Sequence, residues 1–129
     1  MDERARALLE GKNFATVSTL RPDGSIHSVL VWVHVEGDRV VLNSAKGRAW
    51  PRNVERDPRV TVLVADQEDP YTYVQIRGRV TEIDDSEAAR DHIEELSRKY
   101  TGGPFQGFAP GQVRVKFYVE PDDVIVAGG

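Results

Sequence analysis

The sequence contains no cysteine. Disulfides, thiolate metal sites and a cysteine nucleophile are therefore excluded, and stability and chemistry must come from other groups. Long apolar runs are missing too. No stretch approaches the roughly 20 apolar residues that a membrane-spanning helix needs, and the opening MDERARALLEGK has no apolar signal core. A cytoplasmic protein without a membrane partner is expected. Charge of one sign is also scarce: the net charge is -4, which speaks against a nucleic-acid binder but leaves room for a local basic patch that holds a small anion. At 129 residues the chain suits one domain spanning 1–129 with a real core, and is too short to divide comfortably into two.

What is present is mostly β pattern. Asp2 to Glu10 places Ala5, Leu8 and Leu9 on one stripe of a short helix stopped by Gly11. Strands follow at Phe14–Leu20, Ser25–Val35 and Arg39–Asn43, joined by turns at Pro22-Asp23-Gly24 and Glu36–Asp38, which predicts an antiparallel meander. Lys46–Asp57 has no period of two; with Pro51 tolerated in a first turn and Asp57-Pro58 as a stop, it predicts a short helix beginning near Trp50. Val60–Asp66 and Tyr71–Ile83 are further strands, with Gly78 marking a bulge or close approach. A longer helix capped at Asp85 or Ser86 runs to about Lys99, with Ala89, Ile93, Leu96 and Tyr100 on one side. After a glycine- and proline-rich loop at Thr101–Gly111, strands at Val113–Val119 and Asp123–Ala127 close the chain.

Repeated βα alternation is absent, so a doubly wound sheet is excluded, and a closed or nearly closed antiparallel barrel of about six strands is the economical fold. Val29 to Val33 are apolar without a break. Both faces of that strand need cover, which a second copy of the chain or its own helices would provide; the homodimer is the preferred reading.

The segment Asn43-Ser44-Ala45-Lys46-Gly47-Arg48-Ala49-Trp50-Pro51-Arg52-Asn53 joins a strand end to a helix start and supplies a hydroxyl and three cations. Backbone donors at the helix start with Ser44, Lys46, Arg48 and Arg52 make an anion cradle suited to a phosphate ester. The alternative is that these cations, with Arg56 and Arg59, simply solvate a turn. Dinucleotide and P-loop fingerprints are absent. His27, His34 and His92 form no metal-ligand pattern, and no serine has a nucleophile-elbow setting. Among the aromatics, Trp50 beside the basic loop reads as the cofactor-side residue and Trp32 as core or interface. Tyr71 and Tyr73 share a strand face that could reach substrate or a partner subunit, while Phe105 and Phe108 can tack the long loop over an apolar opening.

With these elements in this order, FATVSTLRPDGSIHSVLVWVHVEGDRVVLNSAKGRAWPRNVERDPRV followed by YTYVQIRGRVTEIDD resembles the pyridoxamine 5'-phosphate oxidase-like split-barrel superfamily, and within it the small deazaflavin-dependent oxidoreductases. Gly47–Val60 is the most specific part. The resemblance implies a six-stranded antiparallel split β-barrel of the FMN-binding type with three helices. It further implies a two-fold dimer whose cofactor, coenzyme F-420 or alternatively FMN, lies between subunits. The cofactor ring would run along Ser28, Leu30, Val31, Trp32 and Asn43. Its phosphate would meet Arg48 and Arg52, helped by Ser44, Lys46 and Gly47, with Asn53 a structural hydrogen-bonder. Trp50 stands where many relatives carry a lysine, which removes one cation. The implied activity is hydride transfer to a small conjugated acceptor without a dedicated catalytic side chain. A protein that only binds flavin, deazaflavin or haem is the other class.

Overall fold

Alternation along ATVSTL buries Ala15, Val17 and Thr19, and the same period recurs in RVTVLVA, where Val60, Val62 and Val64 turn inward. Such half-buried strands pair edge to edge, and in the computed structural model, which describes residues 1–128, they form one seven-stranded antiparallel sheet with three helices. In chain order the elements are α1 (Glu3–Glu10), β1 (Ala15–Leu20), β2 (Ile26–Val31), β3 (His34–Glu36), β4 (Arg39–Ala45), α2 (Ala49–Arg56), β5 (Arg59–Ala65), β6 (Tyr73–Asp84), α3 (Glu87–Thr101) and β7 (Arg114–Ala127). No helix among the described residues is long and apolar enough to cross a membrane.

Two expectations change. Ser25–Val35, read as one strand, breaks at Trp32 and Val33, and the sheet holds seven strands where a six-stranded barrel was expected. Five consecutive apolar residues define no polar face to hold one register. Val33 is fully buried, and its N–H leaves the ladder to donate to the Tyr100 hydroxyl at 3.2 Å. The meander is therefore split: β1–β2 and β3–β4 are hairpins at opposite ends of the order β2-β1-β5-β6-β7-β4-β3. Consequently the sheet does not close into a barrel. β2 and β3 are its edges, joined only through the chain at Trp32 and Val33.

The last two strands, expected as separate, are one 14-residue strand. Pro121 does not end it, because it sits opposite Gly78 at a register shift where no ladder bond from its nitrogen is needed. Gly78 is the close approach anticipated from the sequence: a Cβ there would collide with the Glu120 carbonyl.

One core joins Val17, Val35, Val40, Leu42, Val62, Ile76, Phe117 and Val119 with Leu8 and Leu9 of α1 and Trp50 and Val54 of α2. Trp50 packs its ring 4.5 Å from that of Phe117. Truncating so large a fully buried ring costs about 3–5 kcal/mol. α3 begins at Ser86, whose hydroxyl accepts the Ala88 N–H, and ends at Gly102 in the left-handed region at φ 80°. It lies over β4 and β7, which covers a face that the sequence pattern leaves open.

Candidate functional site

β4 carries Leu42 to the core and the next residue, Asn43, to the opposite face beneath α3. After Ala45 the chain turns through Gly47, whose φ of 93° suits glycine alone. Arg48 then caps α2 without a side-chain capping bond, and the first turn of α2 holds no carboxylate; Pro51 has no N–H, so the Ala49 and Trp50 N–H groups are the helix-start donors available to an anion. β7 pairs with β4 so that Arg114 stands opposite Ala45, and the Lys46 N–H donates to the Val113 carbonyl at 2.9 Å.

These elements enclose a cleft of about 460 Å³. Phe14, Leu30, Val31, Trp32, Ile93, Leu96, Phe105 and Gly107 line it, and Asn43, Arg48 and Arg114 supply its polar groups. Trp32 stacks on Tyr100 at 5.3 Å with the planes 5° apart, and Phe105 meets the Trp32 ring edge-on at 6.3 Å. Phe108 packs edge-on against Phe105 at 4.8 Å, so the pair fastens the glycine-rich loop over Ile93, Leu96 and Tyr100. The Tyr100 hydroxyl donates to the Asn13 carbonyl and accepts from Val33, which locks the stack.

The electrostatics are one-sided. Arg114 is 4% exposed and donates through Nε and one terminal nitrogen to Asn43 Oδ1 at 3.1 and 2.8 Å. Burial, then the neighbouring Arg48 and Arg90 charges, pull its pKa down to about 10, so it stays protonated at neutral pH. Because Asn43 Oδ1 accepts from Arg114, its amide nitrogen must donate, and it does so to the Ala89 carbonyl at 2.9 Å and to His92 Nδ1 at 3.0 Å. His92 is therefore neutral with its proton on Nε2, an atom that is buried without a partner. Burial, reinforced by the Lys116, His34 and Arg114 charges, pushes the His92 pKa down to about 3.

Of the residues singled out in the sequence, Leu30, Val31, Trp32, Asn43, Arg48 and Phe105 come together in this cleft. Ser28, Lys46, Gly47 and Arg52 do not line it; Ser28 is tied to Ser18 at 2.9 Å, and Lys46 and Arg52 are exposed beside it. Trp50 is a correction: at 4% exposure it belongs to the core against Phe117, not to the cleft. Ser44 is buried at 3% on the core side of β4. Asn53 is a structural hydrogen-bonder, donating to Thr19 Oγ1 at 3.0 Å. Tyr71, 86% exposed, and Tyr73 lie outside the cleft.

Sequence reading missed Arg114, Phe14, Ile93 and Leu96 as cleft residues. In VRVKFYV the alternation marks Arg114 and Lys116 as outward and hence solvated, but α3 covers that face. The signal was the pairing of an amphipathic helix with a strand whose outward residues are cations. A larger cleft of about 780 Å³ lies under α1, lined by Arg4, Lys12, Asp66, Glu68 and neighbours. Its charges are of mixed sign, with Arg4, Lys12 and Glu68 exposed and Asp66 half-buried, and it has no aromatic wall, so it offers less chemical discrimination than the smaller one.

Residues 1–123 match the family model for pyridoxamine 5'-phosphate oxidase. The chain belongs to this family. The structure is similar to that of an F420 reductase at 27% identity and a TM-score of 0.83, covering 97% of this chain and 98% of that one. A conserved hypothetical protein from Mycobacterium tuberculosis shares the fold at 23% identity and a TM-score of 0.79, covering 98% and 84%. So does a putative pyridoxamine 5'-phosphate oxidase from Listeria innocua, at 21% identity and a TM-score of 0.71, covering 93% and 92%. Membership in the pyridoxamine 5'-phosphate oxidase family supports a redox role in general. The region of the anticipated basic motif, Gly47–Val60, falls inside the matched segment.

Proposed function

We propose that this member of the family is an oxidoreductase that uses a reduced deazaflavin, coenzyme F-420, to deliver a hydride to a small conjugated acceptor. The observation that carries the reading is the cleft itself: stacked aromatic walls beside the Arg48 start of α2 and the Arg114 charge, in a chain that is acidic overall. The similarity to an F420 reductase over nearly the whole chain supports the same choice. FMN is the competing cofactor, since its phosphate could use the same helix start.

The residues present fit such a group. Leu30, Val31 and Trp32 would hold the ring, and Arg48 with the open N–H groups of α2 would hold the phosphate, with Lys46 and Arg52 adding long-range attraction. When bound, the cofactor supplies the hydride chemistry. The protein's own part is to place two rings face to face, exclude water with the Phe105 and Phe108 loop, and keep a positive field on the anionic end. No side chain is required as acid or base.

A homodimer belongs to the proposal, with the cofactor between subunits. Register aligns Leu30, Thr16, Leu63, Gln75 and Ile125 in one outward row across β2, β1, β5, β6 and β7. Leu30, Leu63 and Ile125 are exposed in this row, with Thr16 and Gln75 between them, and exposed apolar side chains on an edge-bounded sheet are suited to a second copy. Equilibrium titration with the deazaflavin and with FMN tests the reading: binding of the deazaflavin supports it, and binding of neither removes it.

A further inference from the structure

Arg114 is an unusual charge. It is 4% exposed yet has no ion pair with a carboxylate among the described residues, whereas Lys116, the other buried cation of β7, pairs with Glu36 at 2.6 Å. A buried charge left without a counter-charge is costly, and an aspartate at position 43 would offset it. Asn43 instead holds the guanidinium in place through a neutral oxygen, at 3.1 and 2.8 Å, and Gln112 Oε1 adds a long neutral contact at 3.5 Å. The position is thus fixed while the charge is kept. The guanidinium has five N–H donors; Asn43 takes two and Gln112 one. One remains on each terminal nitrogen, the pair with which an arginine grips a carboxylate in two parallel bonds. The guanidinium also lies 5.1 Å from the centre of the Phe105 ring, and both residues line the cleft.

We propose that Arg114 is an anion-recognition residue for the acceptor, separate from the phosphate site at Arg48, and that the acceptor class is a conjugated ring bearing a carboxylate. The inference rests on the reading of this cleft as an acceptor site. Arg48 and the helix start already serve a phosphate, so a second cation held on the α3 side, beside an aromatic ring, matches a second ligand. The carboxylate seats on Arg114, and the ring lies in the cleft against the Phe105 and Trp32 side chains, which already meet edge-on and so offer it one shared aromatic surface.

The test is a pair of near-isosteric probes that differ by one charge, 4-nitrobenzoate and 4-nitrobenzamide, titrated by quenching of tryptophan fluorescence. The native protein should prefer the carboxylate by about tenfold or more, the scale of a charge-assisted bidentate contact. Arg114→Met should abolish the preference while leaving the amide's affinity within about twofold. Arg114→Lys should retain part of it. Asn43→Asp, which supplies the missing counter-charge but loses the amide donation to the Ala89 carbonyl and His92 Nδ1, should also remove it, and near-native urea denaturation of either variant shows that the loss is not unfolding. A parallel titration with FMN and riboflavin reports the phosphate site: its ratio should be unchanged in Arg114→Met.

Equal binding of the two nitro probes by the native protein, or a preference that survives Arg114→Met, overturns the proposal. A collapse of the FMN-to-riboflavin ratio in that variant does so too, because Arg114 would then serve the cofactor. If no cofactor binds but the carboxylate preference and its loss are seen, the oxidoreductase reading fails while the recognition by Arg114 stands.

Discussion

His92 shows how one hydrogen bond sets the state of its neighbour. Arg114 fixes the direction of the Asn43 amide, and the amide fixes the imidazole as a neutral acceptor at Nδ1. Its folded pKa, about 3, lies below the ordinary value of 6.5. Between those values the unfolded chain binds a proton that the folded one refuses, so stability falls as pH drops through this window and is unaffected above it. At pH 5 the loss from this group is about 2 kcal/mol, one and a half pH units below the unfolded value. Urea denaturation at pH 7 and pH 5 measures it. His92→Asn, which places an oxygen where Nδ1 sits, should flatten that part of the profile, leaving the smaller contribution of His34, whose pKa is also lowered, by burial first and Lys99 next. An unchanged profile would show that His92 titrates normally. From sequence, His92 reads as an ordinary surface or half-buried histidine; nothing local indicates that Asn43, far away in the chain, accounts for its tautomer.

At the scale of elements, the break between β2 and β3 is held from α3. Lys99 donates to the Leu9 carbonyl at 2.8 Å, the Val33 carbonyl at 2.6 Å and His34 Nδ1 at 3.3 Å, so one ammonium ties α1, the strand break and β3 to α3. Burial draws its pKa down to about 8. Lys99→Met keeps the stem but orphans two carbonyls, and should destabilise the fold by about 2–4 kcal/mol in urea denaturation. A loss below about 0.5 kcal/mol would mean that water replaces the ammonium at no cost. Helix limits were readable because their signals are local: Ser86 caps α3, and Asp57-Pro58 follows α2 directly. The break at Trp32 was not, because Val29 to Val33 look the same whether they continue a strand or cross from one sheet edge to the other. Only the distant Tyr100 hydroxyl and Lys99 distinguish the two.

For the whole molecule, the open sheet leaves β2 as an edge with Ile26 67% and Leu30 69% exposed. Sedimentation equilibrium should give twice the 14.4 kDa chain mass, and Leu30→Glu should shift the protein toward monomer; a native monomer at all concentrations would contradict the dimer. The unbroken apolar run did announce an unusual strand, and Leu30 is the outward residue that made it so. The basic segment was legible as chemistry but only half as geometry: Arg48 reaches the cleft, Trp50 turns into the core, and the cleft's buried cation, Arg114, comes from β7, more than sixty residues away along the chain. Strand alternation predicts faces, and which face a helix then covers is decided by tertiary packing. The most direct measurement is a fluorescence titration of cofactor-free protein with the deazaflavin coenzyme and with FMN, repeated on Arg48→Ala. Micromolar or tighter binding of the deazaflavin, weaker binding of FMN, and a loss of about tenfold in the variant are the predicted result; binding of neither cofactor, or affinity indifferent to Arg48, would contradict it.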